Sequence, residues 1–155
     1  MKKMRMVLAS VTVFLAGFAL CFAEDANMGT WKLNETKSKL SAGAPKNGTV
    51  AYTAAGDKVK VTVDGVDAEG KATHNEWTGQ FDGKDYPVTG DATSDVRSYK
   101  RIDDRTLEFT AKKGSNVTLA GRVAVSADGK TRTVTTTSTD AKGGKTSATA
   151  VYDKQ

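Results

Sequence analysis

From Thr49 onward, apolar residues return at every second position, the period of a strand with one buried face. Val59, Val61 and Val63 fall on one side, with Lys58, Lys60 and Thr62 on the other. Leu107, Phe109 and Ala111 alternate with Thr106, Glu108 and Thr110, and Val117, Leu119, Val123 and Val125 repeat the pattern around Gly121. Thr131 to Thr139 is a threonine-rich run around Val134, and branching at Cβ favours a pleated strand over a helix. Asp64-Gly65, Asp82-Gly83 and Asp128-Gly129 are hairpin signals between such runs. Gly56-Asp57, Gly70-Lys71, Gly90-Asp91, Lys113-Gly114 and Gly143-Gly144 mark further breaks. The pattern predicts strands near 29–34, 48–55, 57–64, 71–80, 86–89, 94–101, 105–112, 116–126, 131–139 and 145–153. Glu35 to Asn47 shows no alternation and reads as a helical turn or a loop crossing one end, with Pro45 ending any helix.

Sequential hairpins with short turns describe an all-β antiparallel meander. A long meander exposes two edges unless it closes on itself. The expected fold is therefore an up-and-down β-barrel of about eight to ten strands, with a two-sheet β-sandwich as the alternative. The large apolar residues roughly fill the inward face, and Thr, Ser, Ala and Gly take the remaining inward positions. That implies a tight barrel or a partly wet pocket rather than a large dry cavity.

The start of the chain differs from the rest. Lys2, Lys3 and Arg5 precede an apolar run from Val7 to Phe22, broken only by Ser10, Thr12 and Gly17. Cys21-Phe22-Ala23 then gives way to Glu24-Asp25. A basic start, a short apolar middle and small residues before a polar break read as a cleavable signal peptide over 1–23, and the run is short for a membrane span. With Leu20 before it, Cys21 reads as a small cleavage-site residue rather than a lipid-bearing one. The expected product is one domain over 24–155, periplasmic or secreted, without cysteine and off the membrane. Lys2, Lys3 and Arg5 belong to the leader; without these three of the 23 basic residues, 20 bases face 18 acids. The charges alternate in sign, so nucleic acid is not an expected partner.

No reactive set emerges. Asp64, Asp82 and Asp128 are accounted for by their Asp-Gly pairs and Asp103-Asp104 by a turn between strands, no serine sits in a nucleophile elbow, and no Gly-rich loop opens a helix. His74 is the one histidine, on a strand face with Glu76 and Thr78, and a metal would need three or four converging ligands. No enzyme activity, metal or cofactor is expected. Trp31 reads as a structural plug, since indole buries a large area and needs one hydrogen-bond partner. Among the other large aromatics, Tyr52, Trp77, Phe81, Tyr86 and Tyr99 are the candidates for a ligand-binding wall.

Gly29-Thr30-Trp31 resembles the Gly-x-Trp motif of the first lipocalin strand. Together with Lys37-Ser38-Lys39, Phe81-Asp82-Gly83-Lys84-Asp85-Tyr86-Pro87-Val88 and Asp128-Gly129-Lys130-Thr131, it makes the chain similar to small exported lipocalin-like bacterial proteins of the calycin type, which have no settled biochemical role. The resemblance implies a barrel with Trp31 at one end. Lipocalins also set a late Arg against that Trp; no Arg follows Arg132, which leaves Lys154 for the place. The expected function is a monomeric, non-enzymatic barrel binding a small molecule at its open end. The alternative is a protein-binding or inhibitory scaffold acting through its loops. Mass spectrometry of the exported protein should give a chain beginning at Glu24 with no thiol; a chain that retains Met1, or one lipidated on Cys21, would rule this leader reading out.

Overall fold

The computed structural model describes residues 25–139 and 142–155; residues 1–24, where the signal-peptide expectation falls, and Asp140-Ala141 lie outside them. The alternation resolves into ten antiparallel strands. They are β1 (Gly29–Leu33), β2 (Lys46–Ala55), β3 (Lys58–Val66), β4 (Ala72–Gly79) and β5 (Tyr86–Thr89). The second half holds β6 (Val96–Asp103), β7 (Thr106–Lys113), β8 (Asn116–Val125), β9 (Thr131–Thr139) and β10 (Lys145–Lys154). Each strand pairs with its neighbours in sequence, and β10 returns to β1 through Trp31 opposite Lys154 and Leu33 opposite Tyr152. The sheet is thus a closed barrel without a free edge, not a sandwich.

Two local expectations change and a third is met. Asp64-Gly65 is not a turn but lies inside β3, opposite a register shift between Asn47 and Thr49. A Cβ on Gly65 would sit 2.1 Å from the Lys46 carbonyl oxygen, so this glycine serves close strand approach. The chain reverses instead at 67–71, where Asp67 Oδ1 accepts from the backbone N–H of Glu69 (3.0 Å) and Lys71 (2.8 Å). Val117 is 45% exposed, although it shares parity with Leu119. Two residues of β8 stand against one of β7 between the pairs Leu119–Ala111 and Val117–Lys112, and this bulge turns Val117 outward. The stretch after Glu35 holds both things its composition allowed: one 3₁₀ turn over Glu35–Lys37, capped by Asn34 Oδ1 on Lys37 N, then a loop tied down by the Lys39–Thr149 bridge.

The interior is filled by matching large side chains to small ones. A Cβ on Gly121 would lie 2.6 Å from the Phe109 ring, and one on Gly79 would lie 2.5 Å from both Trp77 and Tyr86. These glycines therefore leave room for rings. β5 is the shortest link, with two paired residues on each side and Pro87 inside it. Proline has no N–H to give to a ladder. Gly121→Val should displace the Phe109 ring and cost about 1–3 kcal/mol, read as a lower urea midpoint at unchanged slope.

Candidate functional site

The barrel has two unlike ends. The lower carries the N-terminal segment and the connections 56–57, 80–85, 104–105 and 126–130; the upper carries 34–45, 67–71, 90–95 and 114–115. At the lower end the segment 25–28 folds over the interior. Asn27 is fully buried, and its carbonyl accepts from Trp31 Nε1 at 3.0 Å. Asp25 Oδ1 accepts from Asn27 N and Nδ2, its carboxylate pairs with Arg101, and Ala26 and Met28 pack on the core. Trp31 itself is fully buried beneath this cover.

The strands bring Tyr52, Trp77, Phe81, Tyr86 and Tyr99 into one cluster in the lower half. Trp77 lies parallel to Phe81 at 6.4 Å and meets Tyr99 edge-on at 4.7 Å and Tyr86 at 5.8 Å. Tyr52 joins through Tyr99 (6.3 Å) and Phe81 (6.4 Å), and Phe109 extends the cluster from Tyr99 at 5.6 Å. Edge-to-face pairs at these separations add stability beyond area burial. Tyr52, Trp77 and Tyr99 are buried, while Phe81 and Tyr86 are half-buried at the rim. The Tyr86 hydroxyl donates to Asp82 Oδ2 (2.9 Å), and Arg101 covers the Phe81 ring at 5.1 Å. Burial, reinforced by Tyr99, pushes the Tyr52 hydroxyl well above the ordinary tyrosine value, against the pull of Arg132, so it stays protonated.

Two arginines reach into this interior. Arg97 is 8% exposed; its Nη2 donates to Asn75 Oδ1 (3.3 Å) and pairs with Asp91 Oδ2 (3.1 Å), while its carbonyl accepts from Trp77 Nε1 (2.7 Å). Burial pushes the Asp91 carboxyl up, but hydrogen bonds from Ser94 and Thr93 and the Arg97 charge outweigh it and hold it below the ordinary value. Arg132 is 2% exposed and has no acidic partner among the described residues, although it interacts with the Tyr52 hydroxyl. Its guanidinium stands 5.3 Å from the Trp31 ring, 5.0 Å from Tyr52 and 4.8 Å from Tyr152, and its Nε and Nη1 make no hydrogen bond among the described residues. The place against Trp31 is thus held by Arg132 as well as by Lys154, whose ammonium lies 5.4 Å from the ring. Arg132 reaches it because β9 sets it opposite Tyr152, on the inward side.

Above Arg132 the wall made by β8, β9 and β10 changes character. Val125, Arg132 and Tyr152 stand in register as a buried layer. Toward the upper end, the same faces carry Leu119, Val134, Thr136, Ser138, Ala148 and Ala150, all half-buried. The two best-formed concavities lie elsewhere. One, of roughly 530 Å³, is an open polar depression along 103–106 at the lower rim; the other, of roughly 200 Å³, lies under the loop around Leu40. Neither touches the aromatic cluster.

The turn carboxylates are occupied locally. Asp82, Asp103 and Asp128 accept from the backbone N–H of Lys84, Arg105 and Lys130 at 2.9–3.0 Å. His74 lies on the outer face, 2.7 Å from Asp64 and 3.4 Å from Glu76, and these hydrogen bonds raise its pKa. Arg97 and Arg132 are interior residues that sequence reasoning gave no inward role. Their signal was parity: Arg97 alternates in step with Tyr99, and Arg132 with Val134.

No family model matches the chain, and no curated protein does. Among solved structures the barrel is similar to one described as EF1p2_mFAP2b bound to DFHBI, at 9% identity, over 84% of this chain and 94% of that one, with a TM-score of 0.47. Within the interior network, Asp91→Asn should leave Arg97 buried without its counter-charge. The expected cost is about 2–3 kcal/mol near neutral pH, toward the low side for a buried pair because the Asp91 side chain keeps 15% exposure. Because the folded Asp91 ionises below the unfolded value of about 3.9, its contribution is present above that value and is lost as pH falls through the lower folded one. Urea curves of the two proteins should therefore converge in acid.

Proposed function

We propose that this chain is an exported, non-catalytic β-barrel that binds a small molecule entering through the upper end. One observation carries the reading: the contrast along β8, β9 and β10. The layer of Val125, Arg132 and Tyr152 is buried, while the inward positions above it on β9 and β10, from Val134 and Ala150 to Ser138, are small and half-buried. Ligand sites of this kind pair an apolar lining with a few fixed polar groups. The aromatic cluster supplies the apolar body, and the tyrosines and arginines supply the polar points. The lower end offers no comparable way in, since 25–28 covers it and Arg101 is paired to that cover. The 1–23 pattern supports export, and engagement of the turn carboxylates by their own backbone supports a binding rather than a catalytic role.

Native mass spectrometry of the protein taken directly from cells that export it, followed by denaturation, tests the reading. A non-covalent adduct of small-molecule mass, released on unfolding, is the expected result. Identical masses before and after unfolding would sink it.

A further inference from the structure

Arg132 poses an electrostatic problem that the fold alone does not solve. A guanidinium carries five N–H donors in one plane and cannot shed its proton inside a protein. Buried charges are normally paired, and an unpaired one is among the costliest groups a fold can hold. Arg97 shows the ordinary solution in this interior, with Asp91 and Asn75 on its Nη2. Arg132 is more deeply buried, at 2% against 8%, yet no acidic side chain pairs with it among the described residues. Three rings at 4.8–5.3 Å offset part of the charge. A ring contact, however, answers the charge and not the direction of the in-plane donors, and Nε and Nη1 remain without an acceptor. Lys154, also near Trp31, has no such difficulty because it is exposed.

The position of Arg132 matters as much as its charge. It belongs to the buried layer directly below the half-buried stretch of β8, β9 and β10, two residues from Val134 on the same face. Tyr152 stands opposite it on β10, and the rings of Tyr52 and Trp31 complete its surroundings. A group arriving from the upper end and bearing a negative charge would meet a cation and aromatic faces together.

We propose that Arg132 is the receptor for an acidic group of the ligand, so that this barrel selects compact monoanions with an apolar body, such as aromatic carboxylates or sulfonates. The proposal rests on the binding function argued above and adds the charge of what is bound. The ligand's acid supplies the acceptor oxygens that Nε and Nη1 lack, and its apolar body lies along Leu119, Val134 and Ala150. Charge-assisted hydrogen bonds to a desolvated guanidinium are strong enough to discriminate a ligand from its uncharged analogue by an order of magnitude or more.

A matched pair of fluorescent probes tests this: anilinonaphthalene sulfonate and its uncharged parent, phenylnaphthylamine, titrated into the mature protein. The wild type should bind the sulfonate about tenfold or more tightly than the parent, and benzoate should displace it. Arg132→Met should abolish the preference, so that the two probes bind with equal affinity. The variant should fold, because replacing an uncompensated buried charge with a linear apolar side chain is not a costly change; circular dichroism checks it. Should it not fold, Arg132→Lys carries the test, with charge kept and the planar fork lost, and should bind the sulfonate severalfold more weakly. Equal affinity of the wild type for both probes, or a preference that survives Arg132→Met, overturns the anion proposal and leaves the binding function standing. Binding of neither probe overturns both.

Discussion

A sheet that closes on itself fixes how much volume its inward side chains can occupy, and most of this protein's interior follows from that limit. Phe109 fits because β8 offers Gly121 beside it, and Trp77 and Tyr86 meet across Gly79. The rings then hold one another in edge-on, tilted and stacked contacts across six strands or connections, from Tyr52 on β2 to Phe109 on β7. Bulk concentrated on that side leaves the wall of β8, β9 and β10 to small residues such as Thr136, Ala148 and Ala150. The sided interior is a consequence of packing.

The same closed space makes charge expensive. At the rim, pairs such as Lys60–Glu76 and Lys113–Asp95 sit in water and contribute little. Inside, Arg97 is held by Asp91, whose own carboxylate is gripped by the loop at the upper end, so a loop and the aromatic cluster are joined through one residue, by its guanidinium on one side and its backbone carbonyl on the other. Arg132 has rings where Arg97 has a carboxylate.

The strand pattern was legible in the sequence because period-two alternation and glycine punctuation are local signals, and the ten strands fall within two residues of where those signals put them. What was not legible depends on partners far along the chain. Asp64-Gly65 has the composition of a hairpin turn, yet its glycine serves the Lys46 carbonyl across the ladder. Val117 keeps the parity of the core but lies beyond a bulge that only the β7 register reveals. The five candidate aromatics were found by residue type, and the structure brings them together, packed ring on ring. Arg132 was noticed for the wrong reason, as the last arginine before a gap. Its place over Trp31 follows from the β9–β10 register, which brings together residues 101 positions apart.

Pro87 and the brevity of β5 leave one longitudinal seam weaker than the others. Between β4 and β6 the wall is held by few ladder bonds, whereas β2 and β3 or β9 and β10 zip along nine register pairs. Transient local opening starts where backbone bonds are fewest. The side of the cylinder that carries Tyr86 is therefore a natural place for it to breathe. Through that slit, solvent would first wet the rings of Trp77 and Phe81 while the rest of the wall stayed zipped.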